Sequence, residues 1–98
     1  MIMYDPPHPG EFLREIYLET LGLSARSIAT KLKVSPSTFA RVLNGKSGIT
    51  PEMALRLSKT LGRSAESWLA MQSNYDLWQA RQRIDLSEVE ELELAVGG

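Results

Sequence analysis

The sequence predicts an all-α fold of five short helices followed by a short acidic C-terminal tail. Three observations predict it: apolar residues recur at helical spacing, a capping residue or a proline precedes each apolar run, and glycine closes most of the runs. No strand-like alternation precedes residue 84. The Gly and Pro breaks interrupt every heptad, so we expect a bundle-like domain rather than a coiled coil.

Residues 1–9 are expected to form an extended arm, because three of them are proline. A first helix follows over residues 11–21, where apolar residues recur at helical spacing. These residues are Phe12, Leu13, Ile16, Tyr17 and Leu21. Gly22 ends the helix, and His8 at its start is expected to be a structural or capping residue rather than a catalyst.

Two short helices joined by a tight turn come next. Ser24 caps the second helix by accepting a hydrogen bond from a free backbone N–H, and Ser35 caps the third in the same way. Pro36 takes the first position of the third helix, where its missing N–H costs nothing. This helix extends over residues 36–44 and is stopped by Asn44-Gly45. The apolar residues expected to anchor the pair are Ile28, Ala29, Leu32, Val34, Phe39, Val42 and Leu43.

Two further helices complete the predicted domain, which extends over residues 10–80. Thr50 caps the fourth helix, which begins at Pro51 and ends before Gly62. Ser64 caps the fifth helix. The apolar residues expected on these two helices are Met53, Ala54, Leu57, Leu61, Trp68, Leu69, Met71, Tyr75 and Trp78.

The acidic tail covers residues 81–98, where carboxylates and apolar residues are interleaved. A solvated, partly disordered end is one interpretation of this composition. An ordered helix is another, with Val89, Leu92 and Val96 on one face. Residues 92–96 also alternate like a strand that could pair with another chain.

Positive charge is concentrated in the middle of the chain. Residues 24–63 carry eight basic side chains against the single acid Glu52, although the net charge of the whole chain is −1. A basic segment made of short, capped helices indicates a surface for phosphates. Four of the eight lie in or beside the second and third helices and are candidates for contact: Arg26, Lys33, Arg41 and Lys46. The other four are expected to supply a supporting field or a solvated surface: Lys31, Arg56, Lys59 and Arg63.

The composition argues against several other classes of protein. The chain has no cysteine, which excludes disulfides and thiolate metal sites. It has one histidine and no cluster of histidine and carboxylate at ligand spacing, so no catalytic pair, metal site or cofactor is expected. No apolar run approaches the roughly eighteen residues that span a membrane, and no signal peptide opens the chain. A cytoplasmic protein that is not an enzyme is therefore predicted.

Several motifs carry a resemblance to known proteins. Residues 23–45 resemble the helix-turn-helix of the XRE and lambda-repressor-like family, with the motif at about residues 24–44. A wider run, over roughly residues 8–80, is similar to the HigA-type antitoxins. Its motifs are His8-Pro9-Gly10-Glu11-Phe12-Leu13, Asn44-Gly45-Lys46, Gly48-Ile49-Thr50, Met53-Ala54-Leu55-Arg56-Leu57, and Ser67-Trp68-Leu69 through Tyr75-Asp76-Leu77.

The resemblance implies a five-helix lambda-repressor-like DNA-binding domain. It implies an antitoxin that binds and neutralises an mRNA-cleaving HigB-type toxin. It also implies a homodimer that represses its own operon by binding a palindromic operator in double-stranded DNA. The chain departs from the family at two positions: Ala25 stands where a phosphate-holding Gln is common, and Lys33 stands where the turn often has Gly. We expect Arg26 or Lys33 to replace the missing phosphate contact.

The third helix is the expected recognition helix, because the second helix of such a pair presents its first turn to the major groove. The residues expected to contact bases are Pro36, Ser37, Thr38, Ala40 and Arg41. Arg41 is the best candidate for sequence reading, since a guanidinium can bond both O6 and N7 of guanine. The residues expected to contact phosphates are Arg26, Lys33, Ser35, Asn44 and Lys46.

The fifth helix is expected to lie near the two-fold axis of the dimer. Its predicted interface residues are Trp68, Met71, Tyr75 and Trp78. Two alternative functions remain at this point. One is a plain XRE-type transcriptional regulator without a toxin partner, and the other is a protein-interaction module on a helix-turn-helix scaffold.

Overall fold

All five predicted helices are present in the computed structural model, which describes residues 5–93. Helix α1 is α-helical over Pro9–Leu13 and continues as a π-helix over Arg14–Thr20. The other four are α2 over Ala25–Leu32, α3 over Pro36–Leu43, α4 over Pro51–Leu61 and α5 over Ala65–Arg83. Residues 5–93 contain no strand, and the all-α prediction is confirmed.

Side-chain caps begin each of the five helices at the predicted residue. In each case the side chain accepts a hydrogen bond from a backbone N–H that has no partner inside the helix. The pairs are Ser24 with Ser27 (3.0 Å), Ser35 with Thr38 (3.1 Å), Thr50 with Met53 (3.2 Å), Ser64 with Ser67 (3.0 Å) and His8 with Gly10 (2.9 Å). The capping role predicted for His8 is confirmed.

The π-helical part of α1 changes which of its side chains face the core. A π-helix has more residues per turn than an α-helix, so the face defined by Leu13 continues at Tyr17 and Leu18. Ile16 is 38% exposed and Leu21 is 59% exposed. The sequence analysis placed both in an apolar repeat at α-helical spacing, and the π-helical turn removes them from the face that this spacing defines.

The core lies where the five helices meet. Its buried residues include those predicted on α2, on α3 and, apart from the half-buried Leu61, on α4. Leu13 of α1, Ile49 before α4 and Trp68 of α5 complete the core. Trp68 is fully buried, and its indole N–H donates to the carbonyl oxygen of Gly62 at 3.2 Å. Val34 in the turn between α2 and α3 packs against this core, as predicted.

Helix α5 runs back along α4 and then extends past it. Its first turn lies at the carboxyl end of α4, where Trp68 contacts Gly62. Its middle lies at the amino end of α4, where Gln72 accepts a hydrogen bond from Ile49 N–H at 2.7 Å. The second half of α5 therefore continues past the amino end of α4, and its Tyr75 packs against His8 at the start of α1. No helix within residues 5–93 combines the length and the apolarity required to cross a membrane.

The described part of the acidic tail is solvated. Residues 84–93 are exposed and form neither helix nor strand, apart from a turn in which Val89 N–H donates to Leu86 O at 3.0 Å. The helical interpretation is therefore wrong for Val89 and Leu92. Residues 94–98, which include Val96 and most of the alternating segment, lie outside the described residues. Helix α5 ends at Arg83, a little beyond the domain end predicted at residue 80, and α1 starts at Pro9, at the end of the predicted arm.

Candidate nucleic-acid interface

A left-handed residue forms the turn between α2 and α3. Lys33 has φ 62° and ψ 41°, a left-handed conformation that favours glycine. Glycine is also the residue that the sequence resemblance leads us to expect at this position. The following Val34 N–H donates to Ala29 O at 3.1 Å and closes the end of α2. This tight turn sets the angle at which α3 leaves α2 and exposes its first turn.

Arg56 of α4 fixes this turn from the other side. One terminal nitrogen of its guanidinium donates to Leu32 O at 2.7 Å. Its Nε and its other terminal nitrogen donate to Glu52 Oε2 at 3.2 and 2.9 Å. The sequence prediction placed Arg56 in the supporting field or the solvated surface and did not include this structural contact. The i,i+4 spacing indicates the pair with Glu52, but no local signal indicates the contact with α2.

The first turn of α3 presents a row of hydroxyl groups. Ser35 Oγ caps the helix and also donates to Thr38 Oγ1 at 2.8 Å, while Ser37 Oγ lies 3.2 Å from it. Because Thr38 Oγ1 already accepts this bond, its own hydrogen is available to a DNA acceptor. Pro36, Ser37 and Thr38 are exposed, and Ala40 is half-buried one turn along the helix.

Arg41 is exposed on α3, and its side chain is oriented by a residue that the sequence prediction missed. Arg41 Nε donates to Ser47 Oγ at 3.2 Å. The bond occupies Nε and leaves the two terminal nitrogens for a pair of acceptors such as guanine O6 and N7. Ser47 follows the recognition helix in a loop, and nothing in the local sequence pattern identifies it as a support.

The residues predicted to contact phosphates are all exposed and lie at the ends of α2 and α3: Arg26, Lys33, Ser35, Asn44 and Lys46. Asn44 is held by Arg14 of α1, whose Nη2 donates to Asn44 Oδ1 at 2.5 Å and to Leu43 O at 3.2 Å. The amide nitrogen of Asn44 is consequently the group left to donate to a phosphate. Arg14 also places a positive charge at the carboxyl end of α3. The sequence prediction did not include Arg14.

The amino end of α1 packs directly on the carboxyl end of α3. A Cβ atom at Gly10 would lie 2.0 Å from Val42 O and 2.9 Å from Leu43 O, so only glycine allows this approach. The neighbouring His8 ring meets the Tyr75 ring of α5 edge-on, with the centroids 4.9 Å apart. The recognition helix is therefore supported by α1, which in turn contacts α5.

Burial favours the neutral form of His8. Loss of solvent around the imidazole lowers the pKa of His8 below its ordinary value of 6.5. The carboxylate of Asp76, a hydrogen bond with the backbone of Ser47 and the carboxylate of Glu11 act in the opposite direction and only reduce the shift. A neutral ring is required here, because Nδ1 must accept the hydrogen bond from Gly10 N–H.

The predicted dimer interface is only partly available. Trp68 has no exposed surface, so its side chain cannot contact a partner and its assignment to the interface was wrong. It packs instead in an aromatic cluster with Phe12 and Tyr17, over which the guanidinium of Arg63 lies. Met71, Tyr75 and Trp78 are half-buried and keep exposed surface.

Comparison with known proteins places this geometry in a family. The chain matches the family model described as Helix-turn-helix over residues 13–68. It is 51% identical over 75 residues to virulence-associated protein I of Dichelobacter nodosus, which covers 76% of this chain and 69% of the relative.

Two solved structures of antitoxins with DNA are similar along nearly the whole chain. The antitoxin GraA in complex with its operator matches with a TM-score of 0.85 at 35% identity, covering 96% of this chain and 98% of GraA. The Pseudomonas aeruginosa antitoxin HigA with the higBA promoter matches with a TM-score of 0.79 at 34% identity, covering 93% and 99%. The chain belongs to the XRE-type helix-turn-helix family, in the group of the HigA antitoxins.

Proposed function

We propose that the chain is the antitoxin of a HigBA-type toxin-antitoxin system and a repressor of its own operon. It binds double-stranded operator DNA through α3 and neutralises an mRNA-cleaving toxin by binding it. The proposal describes a binding protein that is not an enzyme and that acts in the cytoplasm, where its operon is transcribed. Support for the DNA part comes from relatives solved with an operator or a promoter.

The observation that carries the proposal is the presentation of α3. Its first turn exposes Ser37 and Thr38. Arg41 is exposed on the same helix, and Ser47 in the following loop orients its guanidinium. Exposed cations at the two ends of the motif, Arg26 and Lys46, suit the phosphates on either side of a groove. In this arrangement Arg41 reads sequence, and the surrounding residues set the position of the helix.

The proposal includes a homodimer on a palindromic operator. Two copies related by a two-fold axis would place their α3 helices in successive turns of the major groove, roughly 34 Å apart. Met71, Tyr75 and Trp78 remain the proposed interface residues on α5. Leu77, which is 47% exposed in the second half of α5, adds apolar surface to the same helix.

The DNA part is tested by titrating the upstream operator with wild type, Arg41→Ala and a matched control, Arg81→Ala. Arg81 is an exposed arginine on α5, so its replacement removes the same charge away from α3. We expect Arg41→Ala to lose operator affinity by about 1–3 kcal/mol and to lose discrimination against a scrambled site. If the two variants have the same operator affinity and the same discrimination, Arg41 does not read the DNA sequence.

Salt dependence provides an independent test of groove binding. Contacts with phosphates release condensed counterions, so operator affinity should fall steeply between low and physiological salt. The protein-interaction module that the sequence also allowed would show no retardation of DNA even at low salt. Absence of retardation would contradict the proposed repressor function.

The antitoxin part is tested with the neighbouring reading frame. We expect a small basic ribonuclease encoded beside this gene to arrest growth when expressed alone and to be silent when this chain is expressed with it. The two proteins should also purify as one complex by size-exclusion chromatography. If the product of the neighbouring gene is toxic and this chain does not relieve its toxicity, the antitoxin part is wrong and the chain is a plain transcriptional regulator.

A further inference from the structure

The loop between α3 and α4 folds back against the recognition helix. The carbonyl oxygen of Arg41 accepts two hydrogen bonds from this loop, one from Lys46 N–H at 2.8 Å and one from Ser47 N–H at 3.1 Å. Gly45 has φ 74°, a left-handed conformation that lets the chain reverse its direction here. The reversal brings Ser47 beside Arg41, and Ser47 Oγ accepts the hydrogen bond from Arg41 Nε at 3.2 Å.

Side chains of α1 and α5 hold the two ends of the loop. Asn44 at its start accepts a hydrogen bond from Arg14 of α1. Ile49 near its end donates a hydrogen bond from its backbone N–H to Gln72 of α5 at 2.7 Å. Ser47 lies between these two points, so its place beside Arg41 depends on what the middle of the loop contacts.

His8 contacts the middle of the loop. A Cβ atom at Gly45 would lie 3.8 Å from His8 Cγ and 3.9 Å from His8 Cδ2, so the imidazole ring lies next to the loop backbone at this residue. The ring also makes a hydrogen bond with the backbone of Ser47. His8 therefore contacts the loop immediately before and immediately after Lys46.

The His8 ring is itself fixed by two helices. Its Nδ1 accepts a hydrogen bond from Gly10 N–H of α1 at 2.9 Å. The ring meets the Tyr75 ring of α5 edge-on, with the centroids 4.9 Å apart. Rotation of the ring would break the cap of α1, so the imidazole presents a fixed surface to the loop.

We infer that His8 is a positioning residue for sequence reading, which acts through the loop and Ser47 to hold the Arg41 guanidinium in place for a base. The inference rests on the proposed DNA-binding function. Ordering a flexible side chain on binding opposes affinity, and a guanidinium that is held in the free protein avoids this loss. The benefit reaches only the contacts that Arg41 makes with bases, so His8 contributes to discrimination between sequences rather than to general attraction for DNA.

NMR on the free, full-length protein tests this positioning without DNA. The Arg41 Nε–H signal reports the bond to Ser47, and Ser47→Ala gives its frequency when the bond is absent. His8→Asn keeps a capping acceptor for Gly10 N–H and removes the ring from the loop. We expect the signal in His8→Asn to move towards its frequency in Ser47→Ala. Ser64→Ala, which removes the cap of α5, is the matched control and should leave the signal unchanged. An unmoved signal in His8→Asn would overturn the inference.

The consequence for sequence reading is tested with a double-mutant cycle on DNA binding. Discrimination is the ratio of the affinity for the operator to the affinity for a scrambled site. His8→Asn and Ser47→Ala should each lower it about three- to tenfold, and the two combined should lower it no further. Neither should lower it in an Arg41→Ala background. Unchanged discrimination in His8→Asn, additive losses, or a loss in the Arg41→Ala background would refute the inference. If wild type does not distinguish the two DNAs, the proposed repressor function is wrong, and the NMR result alone decides whether His8 positions Arg41.

Discussion

The guanidinium of Arg56 and the carbonyl oxygen of Leu32 join α4 to the last turn of α2 through a hydrogen bond of 2.7 Å. Leu32 is 2% exposed, so its carbonyl group has little access to water. The same guanidinium lies 3.5 Å from the carbonyl oxygen of Lys33. One side chain thus satisfies the end of α2 and holds the turn that directs α3.

Replacing Arg56 by methionine should destabilise the fold by about 1–3 kcal/mol, because the Leu32 carbonyl loses its charged donor while the apolar stem is kept. Urea unfolding measures the change. Glu52→Gln is the control: it removes the partly exposed ion pair and should cost less than about 1 kcal/mol. If the two variants were equally destabilised, the contact with α2 would carry no special weight.

Gln72 supplies a buried acceptor to the loop between α3 and α4. It is 8% exposed, its Oε1 accepts from Ile49 N–H at 2.7 Å, and its Nε2 donates to Asp76 at 3.0 Å. Gln72→Leu leaves the Ile49 N–H without a partner and should cost about 1–3 kcal/mol in chemical unfolding. The exposed neighbour Ser73→Ala should change stability by less than about 0.5 kcal/mol. An unchanged free energy of unfolding in Gln72→Leu would show that water replaces the amide as the partner of the Ile49 N–H.

Stability should depend on pH through His8. Because its pKa is lowered in the folded state, the unfolded chain binds more protons as the pH falls. The contribution of His8 is therefore complete above pH 6.5 and is lost as the pH falls through 6.5 towards the folded pKa. His8→Asn keeps a capping acceptor that does not titrate, so its melting temperature should fall less between about pH 7 and pH 5. Parallel pH profiles for the two proteins would contradict this.

Gly10 should not tolerate even one added carbon atom. The Cβ of alanine would lie 2.0 Å from Val42 O, so α1 must move away from the end of the recognition helix. Gly10→Ala should lose about 1–3 kcal/mol or more and lower the melting temperature recorded by circular dichroism. Glu11→Ala, at the next and exposed position, is the control. An unchanged melting temperature would mean that the contact between α1 and α3 has room for a Cβ atom at position 10.

Arg14 should affect DNA affinity without affecting sequence preference. It orients the amide of Asn44, whose proposed partner is a phosphate, so Arg14→Ala should weaken binding to operator and scrambled DNA by a similar factor. Fluorescence anisotropy with both DNAs gives the ratio of the affinity for the operator to the affinity for the scrambled site. Asn44→Ala should act in the same way, and little should be added by combining the two. A change in the ratio would place Arg14 among the residues that read bases.

Local rules account for the part of the fold that could be predicted. The caps at Ser24, Ser35, Thr50 and Ser64 each join residues three positions apart, and the inward residues of α2, α3 and α4 repeat at helical spacing. Such interactions depend on the nearest turn alone, so a sequence pattern is sufficient to find them. The exposed reading surface of α3 follows from the same pattern, since the residues that do not face the core must face outward.

The supports of that surface depend on the way the helices pack. Arg56 meets Leu32, Gln72 meets Ile49, and Arg14 meets Asn44 across gaps of 24, 23 and 30 positions in the chain. No local period relates such residues, because only the folded backbone brings them within hydrogen-bond distance. The burial of Trp68 was likewise decided by the way α5 packs against α1 and α4. The sequence by itself determined the helices, their caps and the exposed face of α3. The packing of the helices decided which side chains hold that face in place.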